Sequence, residues 1–154
     1  MNAYEELRKA NDDKRADCAV IALALLTDSD YSKVEALLAD FGRKKNCGTG
    51  LSMIMAALAE LKPDKFPLME ADPYSKPLES YLFDVYHEFL NEGYLERVVG
   101  RGRLTVNRIA KLREYEKGKY LLLTRNHAIA MIDGEVLDWT KGRRNVVKSI
   151  IKVG

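Results

Sequence analysis

Hydrophobic residues in the first 90 positions repeat with the three-to-four residue spacing of amphipathic helices. Polar residues and glycines separate these repeats, as they do between the helices of a globular domain. The pattern predicts five helices, which cover residues 2–10, 18–26, 31–41, 51–61 and 78–90. The second of them is apolar nearly all round, which predicts that it is buried and that Asp17 is its N-cap.

The pattern changes after about residue 94, where apolar residues alternate with polar ones or form short continuous runs. Such runs predict strands at residues 94–99, 119–124 and 145–153, and a β-hairpin at residues 124–140. Thr105 is predicted to cap a short helix. Helices that precede strands predict the α+β class, with an N-terminal helical half packed against a C-terminal antiparallel β-sheet in one domain, 1–154.

The predicted hairpin has a two-residue turn signal, Asp133-Gly134, of the kind that joins twisted antiparallel strands. Counting outward from this turn predicts five opposed pairs: Ile132 with Glu135, Met131 with Val136, Ala130 with Leu137, Ile129 with Asp138, and His127 with Thr140. Side chains alternate between faces, so four residues are predicted to share one face: His127, Ile129, Asp138 and Thr140. Trp139 is then predicted on the other face, where it would shield the sheet from water. His127 and Asp138 become diagonal neighbours at roughly 7–8 Å, so that imidazole can meet carboxylate.

The composition, with 47% hydrophobic and 31% charged residues, is that of an ordinary globular protein. No apolar run approaches 18 residues, so no membrane span is predicted, and the charged N-terminal segment does not resemble a secretion signal. Two cysteines, Cys18 and Cys47, are too few for a disulfide framework. We therefore expect a cytoplasmic chain with reduced thiols.

Charge is unevenly distributed along the chain. Residues 1–96 carry 11 basic and 18 acidic side chains, whereas residues 97–154 carry 14 basic and 5 acidic ones. This split favours either contact between two oppositely charged halves of the domain or an acidic partner. Nucleic-acid binding is not expected, because no recognised motif or interleaved aromatic residue accompanies the basic side chains, which are Arg97, Arg101, Arg103, Arg108, Lys111, Arg113, Arg143 and Arg144.

Cys18 stands at the start of the buried second helix, a position that favours a thiolate. His127 is predicted to supply a base, and Asp138 to orient its ring. The alternatives are an inert buried thiol, a core histidine and an aspartate that caps a turn. Cys47 is interpreted as incidental and His87 as a surface residue, and the spacing of cysteines and histidines predicts no metal site and no cofactor.

The chain resembles the papain-like cysteine peptidase superfamily, in a small form that occurs in bacterial and phage proteins. The resemblance lies in Asp17-Cys18 at the start of a buried helix, and in residues 118–139 with their His-Ala-Ile-Ala-Met-Ile-Asp-Gly strand and Asp-Trp pair. It implies that Cys18 is the nucleophile, His127 the general base and acid, and Asp138 the orienting residue. It also implies a peptide or protein substrate and, for a phage protein, a location in the host cytoplasm.

One feature of this superfamily is missing, since the chain contains no glutamine. The superfamily often places a glutamine about six residues before the cysteine as an oxyanion donor, and Asp12 occupies that position. An ionised carboxylate cannot donate a hydrogen bond, so Asn11 and the backbone N–H of Cys18 are the candidate donors. Four further residues are candidates for lining the cleft: Asp17, Gly48, Thr49 and Trp139.

Three functions follow from these residues. The first is a thiol hydrolase that cleaves a peptide or isopeptide bond through a thioester. The second is an acyltransferase, because an amine can replace water in the same chemistry. The third is a catalytically weak papain-like module that binds a host protein, which the missing glutamine and the charge split favour.

Overall fold

The computed structural model describes residues 3–12, 14–74, 76–98, 104–139 and 145–154. Its helices are α1 Ala3–Ala10, α2 Cys18–Thr27, α3 Tyr31–Asp40, α4 Leu51–Leu61, α5 Leu78–Asn91 and α6 Val106–Ile109, followed by a 3-10 turn at Arg113–Tyr115. Its strands are β1 Leu95–Arg97, β2 Lys119–Leu123, β3 Ala128–Ile132, β4 Glu135–Leu137 and β5 Ser149–Lys152. The predicted α+β class, with helices first and an antiparallel sheet last, is confirmed.

The five strands form one sheet in the order β1-β5-β2-β3-β4, and each neighbouring pair is antiparallel. The predicted hairpin register is confirmed for the three pairs nearest the turn, from Ile132–Glu135 to Ala130–Leu137. Asp133 and Gly134 have φ of 50° and 79°, the left-handed backbone that a tight hairpin turn of this kind requires. The apolar run in β2 lies between β5 and β3, at the central position that its composition predicts.

Apolar side chains cover both faces of this sheet. Leu121, Ala130 and Ile151 point towards the helices and belong to a first apolar cluster, which also contains α2. Leu122 and Ile129 point the other way, into a second apolar cluster completed by side chains from the segment between β1 and β2. Because neighbouring β2 residues belong to different clusters, the strand is apolar without alternation.

Helix α2 lies in the middle of the first apolar cluster and packs on β3, β2, α1, α3 and α4. Every residue from Ala19 to Thr27 except Leu25 is buried, as predicted for a helix that is apolar all round. Cys18, at its N-terminus, is only partly buried. The helix therefore fixes the thiol at the edge of the core without enclosing it.

Several strands predicted in the C-terminal part are longer than the observed ones. The last strand begins at Ser149, and the preceding Val146 forms only an isolated bridge with Thr105. Thr105 does cap α6, since its hydroxyl accepts a hydrogen bond from the Arg108 N–H at 3.3 Å. The predicted turns at 100–103 and 141–144, and Thr140, lie outside the described residues.

None of the helices in the described ranges combines the length and the apolar character that crossing a bilayer requires.

Candidate active site

Cys18 is the first residue of α2, and the backbone carbonyl of Asp17 begins the helical hydrogen bonding by accepting from the Ile21 N–H at 3.0 Å. Asp17 is the N-cap residue, as predicted, but its side chain makes no capping hydrogen bond. Its buried carboxylate accepts hydrogen bonds from Arg8 Nη1 at 3.0 Å and from the Tyr31 hydroxyl at 2.8 Å. Donors from α1 and α3 thus hold this carboxylate below the helix, and Asp17 is not a cleft-lining side chain.

His127 lies directly before β3, at the end of a tight turn in which Thr124 N–H donates to the His127 carbonyl at 2.9 Å. Its Nε2 donates a hydrogen bond to Asp138 Oδ2 at 2.8 Å. Asp138 follows the end of β4, and its side chain is 2% exposed. This bond leaves Nδ1 as the ring nitrogen available to Cys18, whose side chain lines the same cleft as His127.

The face assignment that predicted this contact is wrong in part. Ile129 belongs to the second apolar cluster, on the sheet face away from α2, whereas His127 reaches Cys18 on α2. Both His127 and Asp138 lie one residue outside a strand, where the alternation of the pleat no longer fixes side-chain direction. For the same reason Trp139 is not on the opposite face but packs against the His127 ring, with centroids 5.8 Å apart.

The thiol and the imidazole shift each other's pKa towards the charged forms. Burial opposes ionisation of Cys18, but hydrogen bonds from His127 and from the Ala128 N–H outweigh it and lower the pKa of the thiol. Burial also opposes protonation of His127, but hydrogen bonds to Asp138 and Cys18 raise the pKa of the ring to about 9. Each side chain therefore favours the charged form of the other, the thiolate for Cys18 and the imidazolium for His127.

Tyr4 of α1 is a neighbour of this pair that the sequence pattern did not indicate. It is 5% exposed, and burial together with the nearby Asp138 carboxylate raises the pKa of its hydroxyl to about 12. The phenol stays neutral at physiological pH and is packed near the Asp138 carboxylate.

A cleft of about 580 Å³ opens beside Cys18 and His127. One wall is the segment Gly48-Thr49-Gly50 and the first turn of α4, so the structure brings the predicted Gly48 and Thr49 opposite the thiol. The rest of the rim comes from the ends of β2 and β5 and includes Arg125, Asn126 and Lys148. The sequence pattern did not indicate this rim, although Arg125 and Asn126 directly precede His127.

The two predicted oxyanion positions lie away from the cleft lining. The Asn11 side-chain amide donates to the Leu7 carbonyl at 2.9 Å at the end of α1, and Asp12 is exposed. The Cys18 backbone N–H, already a candidate from the sequence, has no intrahelical partner at the start of α2 and remains available inside the cleft. The Asn126 side chain is a second donor there.

The remaining candidates lie elsewhere. Cys47 is exposed, and His87 is an exposed residue of α5 whose ring lies 4.3 Å from that of Phe83, as predicted for a surface position. The described basic residues of the predicted set are exposed: Arg97, Arg108, Lys111 and Arg113. The others, Arg101, Arg103, Arg143 and Arg144, lie outside the described residues.

No protein-family model, curated protein or solved structure matches this chain. In the part of the chain that the structure describes, no group of three or more histidine, cysteine or acidic side chains is arranged to hold a metal ion. The site is therefore interpreted from its own geometry.

Proposed function

We propose that the chain is a papain-like thiol hydrolase that cleaves a peptide or isopeptide bond. One observation carries the proposal: a thiol at a helix N-terminus shares a cleft with a histidine that lowers the pKa of the thiol, and a buried aspartate accepts a hydrogen bond from that histidine at 2.8 Å. Nucleophile, base and orienting acid are thus in series, as this chemistry requires. The order of these residues along the chain, together with a helix packed on an antiparallel sheet, supports the resemblance to the papain-like superfamily.

In the first half of the reaction, the Cys18 thiolate attacks the carbonyl carbon and forms a C–S bond, while the carbonyl π electrons move to oxygen. The Cys18 N–H and the Asn126 amide are the donors available to that oxyanion. When the tetrahedral intermediate collapses, the C–N bond breaks and the His127 imidazolium gives its proton to the leaving amine. The products are a thioester on Cys18 and a neutral imidazole.

In the second half, neutral His127 takes a proton from water, and the resulting hydroxide adds to the thioester carbon. The C–S bond breaks, the thiolate is restored and the acyl group leaves as a carboxylic acid. An amine that replaces this water forms a new amide, which is the acyltransferase alternative. Hydroxylamine traps the thioester of either reaction as a hydroxamate, and this product therefore reports the acylated Cys18 that the two alternatives share.

Selective alkylation tests the proposal. We expect iodoacetamide to label Cys18 at least about tenfold faster than exposed Cys47 near neutral pH, with a half-titration well below the free-thiol value of about 8.5. Peptide mass spectrometry separates the two sites, so Cys47 is an internal reference. His127→Ala is the matched variant and should abolish the advantage of Cys18. Equally slow labelling of both cysteines in the unmodified protein refutes the proposal.

A second candidate, a catalytically weak binding module, is favoured by the position of Asn11 and Asp12 outside the cleft. A binding module would show no turnover, whether Cys18 is reactive or not. Incubation with a complex peptide mixture separates the candidates: new termini that are absent with Cys18→Ala indicate hydrolysis, and unchanged peptides indicate the binding module.

A further inference from the structure

The cleft carries positive charge on its rim. Arg125 and Lys148 line it, both are exposed, and neither forms an ion pair with a described residue. Among the described residues that line the cleft there is no aspartate or glutamate. As thiolate, imidazolium and carboxylate, Cys18, His127 and Asp138 together carry one negative charge, which the two positive charges of the rim exceed.

The wall opposite the thiol contains an unused hydrogen-bonding group. Thr49 Oγ1 is buried and has no hydrogen-bond partner in the described structure. A buried hydroxyl without a partner is unfavourable, because it has lost its bonds to water and gained none in return. Since water has no access to this oxygen, a ligand in the cleft has none either, and Thr49 shapes the wall without offering a hydrogen bond.

The glycines that flank Thr49 leave room on the same wall. A Cβ added to Gly48 would meet no atom within 4 Å, and one added to Gly50 would meet only the end of the Met53 side chain, at 3.9 Å. Apolar side chains of Leu51, Ile54 and Leu123 line the deeper part of the cleft. The space therefore suits an extended chain with small or apolar side chains.

We propose that the cleft binds an apolar peptide segment that carries a carboxylate, with Arg125 and Lys148 as its charge partners. This inference rests on the proposed function and names the substrate class of the same site. The carboxylate has two sources with the same chemistry, an acidic side chain or the C-terminus of the substrate.

A pair of alkylating reagents, one anionic and one neutral, measures the electrostatic potential at Cys18. Iodoacetate and iodoacetamide react with a thiolate in the same way, by forming an S–CH₂ bond and releasing iodide, but only iodoacetate is anionic. We expect the iodoacetate-to-iodoacetamide rate ratio at Cys18 to fall roughly two- to fivefold in Arg125→Gln and in Lys148→Gln, and to fall with added salt. Lys65→Gln is the charge-matched control and should leave the ratio unchanged. Lys65 is exposed and follows the far end of α4, whose 11 residues span about 16 Å from the cleft.

Short peptides identify the source of the carboxylate by protecting Cys18 from iodoacetamide. One pair is N-acetylated Ala-Glu-Ala amide and its Ala-Gln-Ala counterpart, and the other is N-acetylated Ala-Ala-Ala with a free acid or an amide C-terminus. We expect the acid of at least one pair to protect at several-fold lower concentration than its neutral partner, and the better pair names the source.

The outcomes separate the two proposals. Slow iodoacetamide labelling of Cys18 in the unmodified protein refutes the hydrolase itself. Fast labelling with a rate ratio unaffected by Arg125→Gln and Lys148→Gln, and no preference for either acid peptide, overturns the carboxylate site and leaves the hydrolase intact.

Discussion

At the scale of single residues, Cys18 and His127 stabilise each other's charge. The pKa of His127 is raised to about 9 in the folded chain, compared with 6.5 for a free imidazole. This histidine therefore contributes stability that is fully present below pH 6.5 and is lost as pH rises through about 9. The pKa of Cys18 is lowered, so its contribution is present above the ordinary thiol value and is lost as pH falls through the folded value.

Asp138→Asn tests how the acid acts on this pair. Loss of the carboxylate lowers the pKa of His127, so the imidazolium that stabilises the thiolate becomes scarcer and the pKa of Cys18 rises. Direct repulsion between Asp138 and the thiolate acts in the opposite direction but is the smallest contribution. We expect the midpoint of Cys18 alkylation against pH to move up by about one unit.

The control for this variant is Cys47, whose labelling rate should not change. Asparagine keeps an oxygen acceptor at position 138, so the ring can remain in place while the charge is lost. An unchanged midpoint would mean that Asp138 orients His127 without affecting its charge.

At the scale of elements, Arg43 joins the two loops that form the cleft walls. It is 6% exposed, and its guanidinium donates to the Cys47 carbonyl at 3.0 Å and to the Ala16 and Arg15 carbonyls at 3.2 and 3.4 Å. One of these loops leads into Cys18 and the other into the Gly48–Gly50 wall. A planar guanidinium can donate to three carbonyls at once. Here the three carbonyls come from two loops that are far apart in the chain.

Arg43→Met should therefore destabilise the fold and loosen the cleft. We expect the free energy of unfolding in urea to fall by about 1–3 kcal/mol, because three hydrogen bonds from a buried guanidinium are lost. Arg15→Met is the matched control. Arg15 is exposed and its backbone N–H makes the hydrogen bond to Asn46, so this variant should change stability by less than about 0.5 kcal/mol. Equal losses of stability in the two variants would contradict the bridging role of Arg43.

At the scale of the whole molecule, the sheet is a buried layer between two apolar clusters. Leu121 and Leu122 are neighbours in β2, both are 0% exposed, and they belong to different clusters. An antiparallel sheet with one face in water would bury only one of them. The covering of the second face holds β2 in place and fixes the ends of β2 and β5, from which the cleft rim arises.

Leu121→Ala and Leu122→Ala should both cost about 2–5 kcal/mol of unfolding free energy, because each leaves a cavity in a packed core. Met69→Ala is the control, since that side chain is 80% exposed and its removal should be nearly neutral. Thermal or urea unfolding measures all three. A Leu122→Ala variant as stable as Met69→Ala would show that the second face is not part of the core.

The sequence by itself determined the features that depend on neighbours in the chain. The apolar run after Asp17 specified a buried helix with Cys18 at its start, and Asp133-Gly134 specified the hairpin register. It also brought His127 and Asp138 within reach, although Ile129 shows that the predicted face was not the reason. The register was predictable because a two-residue turn leaves the strands only one pairing.

Only the tertiary structure decided the features that depend on residues distant in the chain. Asp17 binds Arg8 and Tyr31 rather than its own helix, because donors from two other helices reach its buried carboxylate first. Trp139 turns towards His127, since alternation constrains side chains within a strand and not beyond its last hydrogen bond. The cationic rim of the cleft also depends on the tertiary structure. Arg125 and Lys148 are far apart in the chain, and both line the cleft only because β5 pairs with β2.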